Sequence, residues 1–145
     1  MIREALRAGT VAAVLSGAPS TAWALIAGDD VLEPSLAAGS MLLPSTRRRV
    51  PLLAAATAAH AVLSLGWAQA LALVPVWQVR TTARGALRGA VGGLAIAAVD
   101  FGLAHASHSL RFARVRALPL LPQLADHVAY GAVVGAVLAR PLSRA

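Results

Sequence analysis

Four stretches of twenty or more residues carry almost no charge, and nothing else constrains this chain so strongly. Residues 8–28 follow Arg3 and Arg7 and end at Asp29, Asp30 and Glu33. Residues 50–79 run from the Arg47-Arg48-Arg49 cluster to Arg80. Residues 89–110 are interrupted only by Asp100, and residues 117–139 only by Asp126. A helix needs about 20 apolar residues to cross a bilayer, so each run is long enough. The runs are continuous rather than alternating, which disfavours strands and leaves helices as the spanning form. The expected fold is therefore all-α: a four-helix transmembrane bundle forming a single integral membrane domain over 1–145, with spans at about 7–28, 51–77, 86–108 and 122–140.

Composition narrows the chemistry. The chain is 13% charged and 58% hydrophobic, whereas a soluble domain carries about 25% charged residues. It has no cysteine, which removes disulfides, thiolate metal sites and a Cys nucleophile. All 13 basic residues are Arg, so a lysine Schiff base is excluded. The net charge of +7 comes from arginines that flank apolar runs. That is a membrane pattern, and the expected partner is the lipid bilayer rather than nucleic acid.

Orientation follows from arginine counts. The side bearing both termini and the 79–88 loop, side X, holds seven (Arg3, Arg7, Arg80, Arg84, Arg88, Arg140, Arg144). The other side, Y, holds six (Arg47, Arg48, Arg49, Arg111, Arg114, Arg116). The excess places both termini in the cytoplasm. One competing reading stays open: Arg3, Arg7, an apolar stretch and the Ala22-Trp23-Ala24 triplet have the form of a cleavable signal peptide. Glu4 in the basic region and the spans that follow weigh against cleavage.

The connections on side Y are unusual. Residues 34–44 (PSLAAGSMLLP) are apolar but too short to cross, which suits an interfacial or re-entrant segment between helices 1 and 2. The stretch LRFARVRALP interleaves Arg111, Arg114 and Arg116 with apolar residues, as expected at headgroup level beside lipid phosphate. Pro122 suits the first turn of the last helix.

Ionisable residues inside apolar runs are functional candidates by default, because a charge at mid-bilayer costs roughly 2.5–3.5 kcal/mol. At a rise of about 1.5 Å per residue, Ser20 lies about 10 Å below the Y surface, His60 about 13 Å, Asp100 about 12 Å and Asp126 about 6 Å. Four helices thus place polar groups in one layer in the Y-side third of the membrane. Stripes at 3–4 spacing support this. They comprise Gly9, Ala13, Ser16, Ser20 and Trp23; Thr57, His60, Ser64 and Trp67; Gly85, Gly89, Gly93, Ile96 and Asp100; and His127, Gly131 and Gly135, with Asp126 and Tyr130 alongside. Small residues let helix backbones approach closely, so these stripes are expected to face the interior, although GxxxG also marks homodimer faces. A mid-helix Pro19 is expected to kink span one and free the Leu15 carbonyl.

Three readings of the layer follow. The first is a structural or partner-binding role, in which the polar groups fix helix packing in a small accessory subunit. The second is a proton, ion or small-solute binding or transport site centred on Asp100 and His60, with Asp126, His127 and Ser20 peripheral and Tyr130 a hydrogen-bond donor. The third and least favoured is a small metal-dependent membrane enzyme, with His105 and His108 joining Asp126 and His127 around zinc or iron. No HExxH, zinc-ribbon, phosphate-loop or GxSxG pattern accompanies that set. No cofactor or catalytic residue is assigned, and a protein partner or homo-oligomer stays open.

The strings GAPSTAWAL (17–25), AAGSMLLP (37–44), AHAVLSLGW (59–67) and LPLLPQLADHVAYG (118–131) together resemble uncharacterised small four-span membrane proteins of high-GC Gram-positive bacteria. The resemblance covers residues 8–138. It implies a bacterial plasma (inner) membrane location with multiple passes, and it implies no activity.

Overall fold

A computed structural model describes residues 1–74, 79 and 81–139, and every regular element among them is helical. These are α1 Ile2–Leu15, α2 Ala18–Ala27, α3 Glu33–Leu42, α4 Arg49–Leu73, α5 Thr82–Ala106, α6 Ala113–Ala117 and α7 Leu120–Leu138, with a 3-10 turn at Leu110–Phe112. Three stretches are long and apolar enough to cross a membrane: Ile2–Ala27, running through α1 and α2, Arg49–Leu73 and Thr82–Ala106. The 19-residue α7, with Gln123, Asp126 and His127 in its first half, is not in that group. The expected ends at 77 and 140 lie outside the described residues, as do Arg80, Arg140 and Arg144.

Local chemistry sets the ends. α2 stops at Gly28, which takes the left-handed conformation (φ +73°) while its N–H bonds the Ala24 carbonyl; only glycine adopts that geometry without a Cβ penalty. α4 stops at Val74, extended as a residue before proline must be. Thr81 caps α5, its side chain accepting from Arg84 N at 3.3 Å. Pro122 sits in the first turn of α7, where its missing N–H costs no helical bond.

The long helices pack in the order α4–α1–α7–α5, and α4 and α5 meet only briefly. The pairs are antiparallel. Gln69 reaches the Ile2 carbonyl while His60 reaches Ala13. Likewise Gly85 lies opposite Gly135, and Gly93 opposite His127. α7 is central, packing against α5, α1 and α2. The interior is built from small residues, including Ala5, Ala8, Ala12 and Ala68, and the largest fully buried side chains are only Leu36, Leu52 and Val134. Large apolar side chains such as Val14, Ile26, Val62 and Leu87 point outward, Ile26 being 88% exposed. Small residues inside and large apolar ones outside is how helices pack in lipid, where burying a leucine gains little.

The 34–44 segment forms α3, ten residues and about 15 Å long. It is docked rather than loose. Leu36 and Ala37 are fully buried, and a Cβ on Gly39 would strike the Leu52 backbone, so α3 and α4 touch main chain to main chain.

Candidate functional site

The polar layer forms around a break in the first long helix. Gly17 and Pro19 are both poor helix residues, and together they end α1 at Leu15 and restart the chain as α2 at Ala18. The expected kink at Pro19 is thus displaced: the break falls at Ser16–Gly17, and Pro19 occupies the first turn of α2, where it is tolerated. Pro19 has no N–H to give the Leu15 carbonyl. In an unbroken helix the Ser20 N–H would reach back to Ser16; here it donates to Asp126 Oδ1 at 2.9 Å. Asp126 therefore caps α2 from another helix. The Ala13 carbonyl, at the end of α1, accepts from His60 Nε2 at 2.8 Å. The Gly17 carbonyl takes the Thr21 hydroxyl at 2.8 Å and the Ser20 hydroxyl at 3.2 Å. Backbone groups freed at a helix break need partners, and residues from α4 and α7 supply two of them.

A second contact lies between α5 and α7. Gly85 and Gly89 face the Gly131 and Gly135 backbone, and Gly93 faces that of His127, so these two helices also pack main chain to main chain. The same register carries His127 Nε2 to 3.2 Å from Asp100 Oδ2. His127 Nδ1 lies 2.7 Å from the Gln123 carbonyl, and the Phe101 ring meets the imidazole edge-on at a centroid distance of 5.1 Å. A carbonyl only accepts, so Nδ1 bears a hydrogen. Nε2 can then bond Asp100 only if one more proton lies between them, on the imidazole or on the carboxyl.

The expected pairing of Asp100 with His60 is therefore corrected: Asp100 meets His127, and His60 meets Ala13. The cause is the rotation of α4. Its buried face is Leu52, Ala56, Ala59, Ser64, Ala68 and Leu71, so the expected stripe splits. Ser64 is inside, Trp67 half-buried, and Thr57 and His60 exposed. Because α4 packs on α1 and barely touches α5, His60 finds the α1 backbone. Asp126 nevertheless lies within electrostatic reach of both His127 and His60. Tyr130 is buried, and its hydroxyl donates to the Ser64 carbonyl, linking α7 to α4. Ser20 is buried in the layer.

The ligand set of His105, His108, Asp126 and His127 is not assembled. Both His105 and His108 are exposed, and His105 Nδ1 bonds the Phe101 carbonyl of its own helix at 2.9 Å. Among the described residues no three His, Cys, Asp or Glu side chains are grouped to hold a metal ion.

The connector arginines pair with groups of the protein itself. Arg114 forms a bidentate pair with Glu33, at 2.6 Å on both oxygens. That hydrogen-bonded pairing outweighs partial burial and raises the guanidinium above its ordinary pKa. Arg116 Nη1 caps α5 through the Ala104 and Ser107 carbonyls at 2.9 and 2.8 Å. Arg111 reaches the Met41 carbonyl at 3.4 Å, and Arg49 pairs with Asp30 at 2.5 Å. These guanidinium groups thus have protein partners within the connections. The missed residues are Glu33, Gln123, Phe101 and the Ala13 backbone. Only Glu33 had a signal, an acidic residue on the same side as six arginines.

The chain matches no protein-family model, no curated protein and no solved structure.

Proposed function

We propose that this is a small accessory or structural subunit of a bacterial plasma membrane. In this reading α1–α2, α4, α5 and α7 all cross as a four-helix assembly, with α3 at the Y interface and both termini cytoplasmic. One observation carries the reading: the ionisable groups of the layer are engaged in holding helices together. Asp126 caps α2, His60 caps α1, and Asp100 joins His127 across the glycine contact. The outward apolar faces of α1–α2, α4 and α5 are then available to lipid or to a partner helix. Gentle purification from the native membrane, with mass spectrometry of all that co-purifies, tests this. A stoichiometric protein partner is expected. A lone protein carrying a stoichiometric solute or ion would overturn the subunit reading.

The Asp100–His127 contact favours a second reading, a proton-, ion- or small-solute-binding protein. Intramembrane Asp and His pairs form proton relays in transporters. In that case the Asp100→Asn protein abolishes proton-linked uptake in vesicles while still reaching the membrane.

A further inference from the structure

We propose that Arg47 and Arg48 bind the phosphate of an anionic phospholipid where the chain enters α4. Side Y carries six arginines, and four of them are held by the protein. Arg49 pairs with Asp30, Arg111 reaches the Met41 carbonyl, Arg114 grips Glu33 and Arg116 caps α5. Arg47 and Arg48 are exposed, and among the described residues their side chains have no hydrogen-bond or ion-pair partner. Asp30 is engaged twice already, by Arg49 at Oδ2 and by the Leu32 N–H at Oδ1, 3.0 Å away. Two adjacent guanidinium groups are left without a protein counter-ion.

Depth and surroundings select lipid as the ligand. α4 has 25 residues, about 37 Å at a rise of about 1.5 Å per residue, against a hydrocarbon core of about 30 Å. Both ends of a crossing α4 therefore reach headgroup level, and Arg47 and Arg48 immediately precede its first residue. Leu42, Leu43 and Val50 flank the pair in sequence and are 49%, 37% and 78% exposed. An open hollow of about 420 Å³ lies beside them, lined by Arg48, Arg49, Val50 and Pro51. A phospholipid matches both features: its phosphate takes hydrogen bonds from guanidinium, and its glycerol and acyl chains cover apolar side chains. A free anion would satisfy the charge and leave Val50 and the leucines uncovered. The site presupposes a crossing α4, as proposed above, and recovery of the protein in the membrane fraction checks that reading separately.

The test is native mass spectrometry of the full-length protein in detergent, titrated with phosphatidylglycerol. The wild type is expected to retain the lipid, and the double variant Arg47→Gln, Arg48→Gln to bind it about thirtyfold more weakly, at about tenfold for each 1.4 kcal/mol. The control is Arg3→Gln, Arg7→Gln, which removes the same charge from exposed positions on side X and is expected to bind as the wild type does. Both double variants should melt with the wild type in lipid-free detergent, because the exchanged side chains have no protein partner. Equal loss of lipid in the two double variants would reduce the effect to net charge and overturn the site. So would full retention in Arg47→Gln, Arg48→Gln, or its failure to fold, which would mean that these arginines hold protein. Displacement of the lipid by millimolar inorganic phosphate would make the ligand a free anion and overturn the lipid assignment.

Discussion

Asp100 Oδ2 lies 3.2 Å from His127 Nε2 while the other ring nitrogen of His127 is held at 2.7 Å by the Gln123 carbonyl. The tautomer is therefore set from the backbone side, with the Nδ1 hydrogen donated to the Gln123 carbonyl. Each half comes from a different helix, and the pair closes the same α5–α7 contact that the glycines open.

Asp100→Asn keeps a donor for Nε2 and is expected to accumulate normally. Asp100→Leu leaves the imidazole nitrogen unpaired at a cost of about 1–3 kcal/mol. Nitrogen-15 NMR of labelled histidine checks the proton assignment, with His127 in Asp100→Asn neutral and protonated at Nδ1. A neutral His127 protonated at Nε2 instead would refute the tautomer argument.

The glycine contacts make a sharper stability prediction. A Cβ on Gly89 would strike the Gly131 carbonyl and come within 2.9 Å of Gly135 Cα. Backbone cannot give way as a flexible side chain can, so Gly89→Ala and Gly131→Ala are expected to lose most of their folded yield in detergent. Gly66 and Gly102 have open space at the same position. There, alanine should be neutral or stabilise by about 0.5–1 kcal/mol through helix propensity. Equal melting of all four variants would remove the close-packing argument.

Tyr130→Phe deletes one buried hydroxyl hydrogen bond to Ser64 without changing ring packing. A loss of about 0.5–1.5 kcal/mol is expected, measured by thermal melting. No change in melting would mean that the hydroxyl bond adds nothing to the α7–α4 link.

The Glu33–Arg114 pair is partly exposed, so Arg114→Ala should cost only about 0–1 kcal/mol, less at high salt. Arg114→Lys should lose most of the same amount, because an ammonium cannot grip both oxygens. The sign of the pH effect follows from the raised guanidinium pKa. A group with a raised folded pKa stabilises fully below its unfolded value and loses that contribution only as pH rises through the folded one. Melting curves of wild type minus Arg114→Ala should therefore be flat from neutral pH to about 10, the whole range lying below the arginine titration. A difference that shrinks over that range would contradict the assignment.

Much of the architecture is legible in the linear chain. Continuous apolar runs bounded by arginine specify helices of spanning length. Gly28 and the residue before Pro75 set two of their ends, and the spacing of Gly85, Gly89 and Gly93 marks a close-packing face. Depth alone also groups Ser20 with Asp126, which the structure joins by a hydrogen bond. These are local properties, decided by rise per residue, backbone stereochemistry and side-chain size.

Which polar group meets which was decided only in three dimensions. Similar depth made His60 the natural partner of Asp100, but depth says nothing about the lateral order of helices or their rotation. Backbone contact along the glycines presses α5 onto α7 and hands Asp100 to His127. The order α4–α1–α7–α5 turns His60 toward the end of α1 instead. The break at Ser16–Gly17 then gives Asp126 its task, because a buried N–H without a helical partner must be met by whichever side chain the neighbouring helix presents.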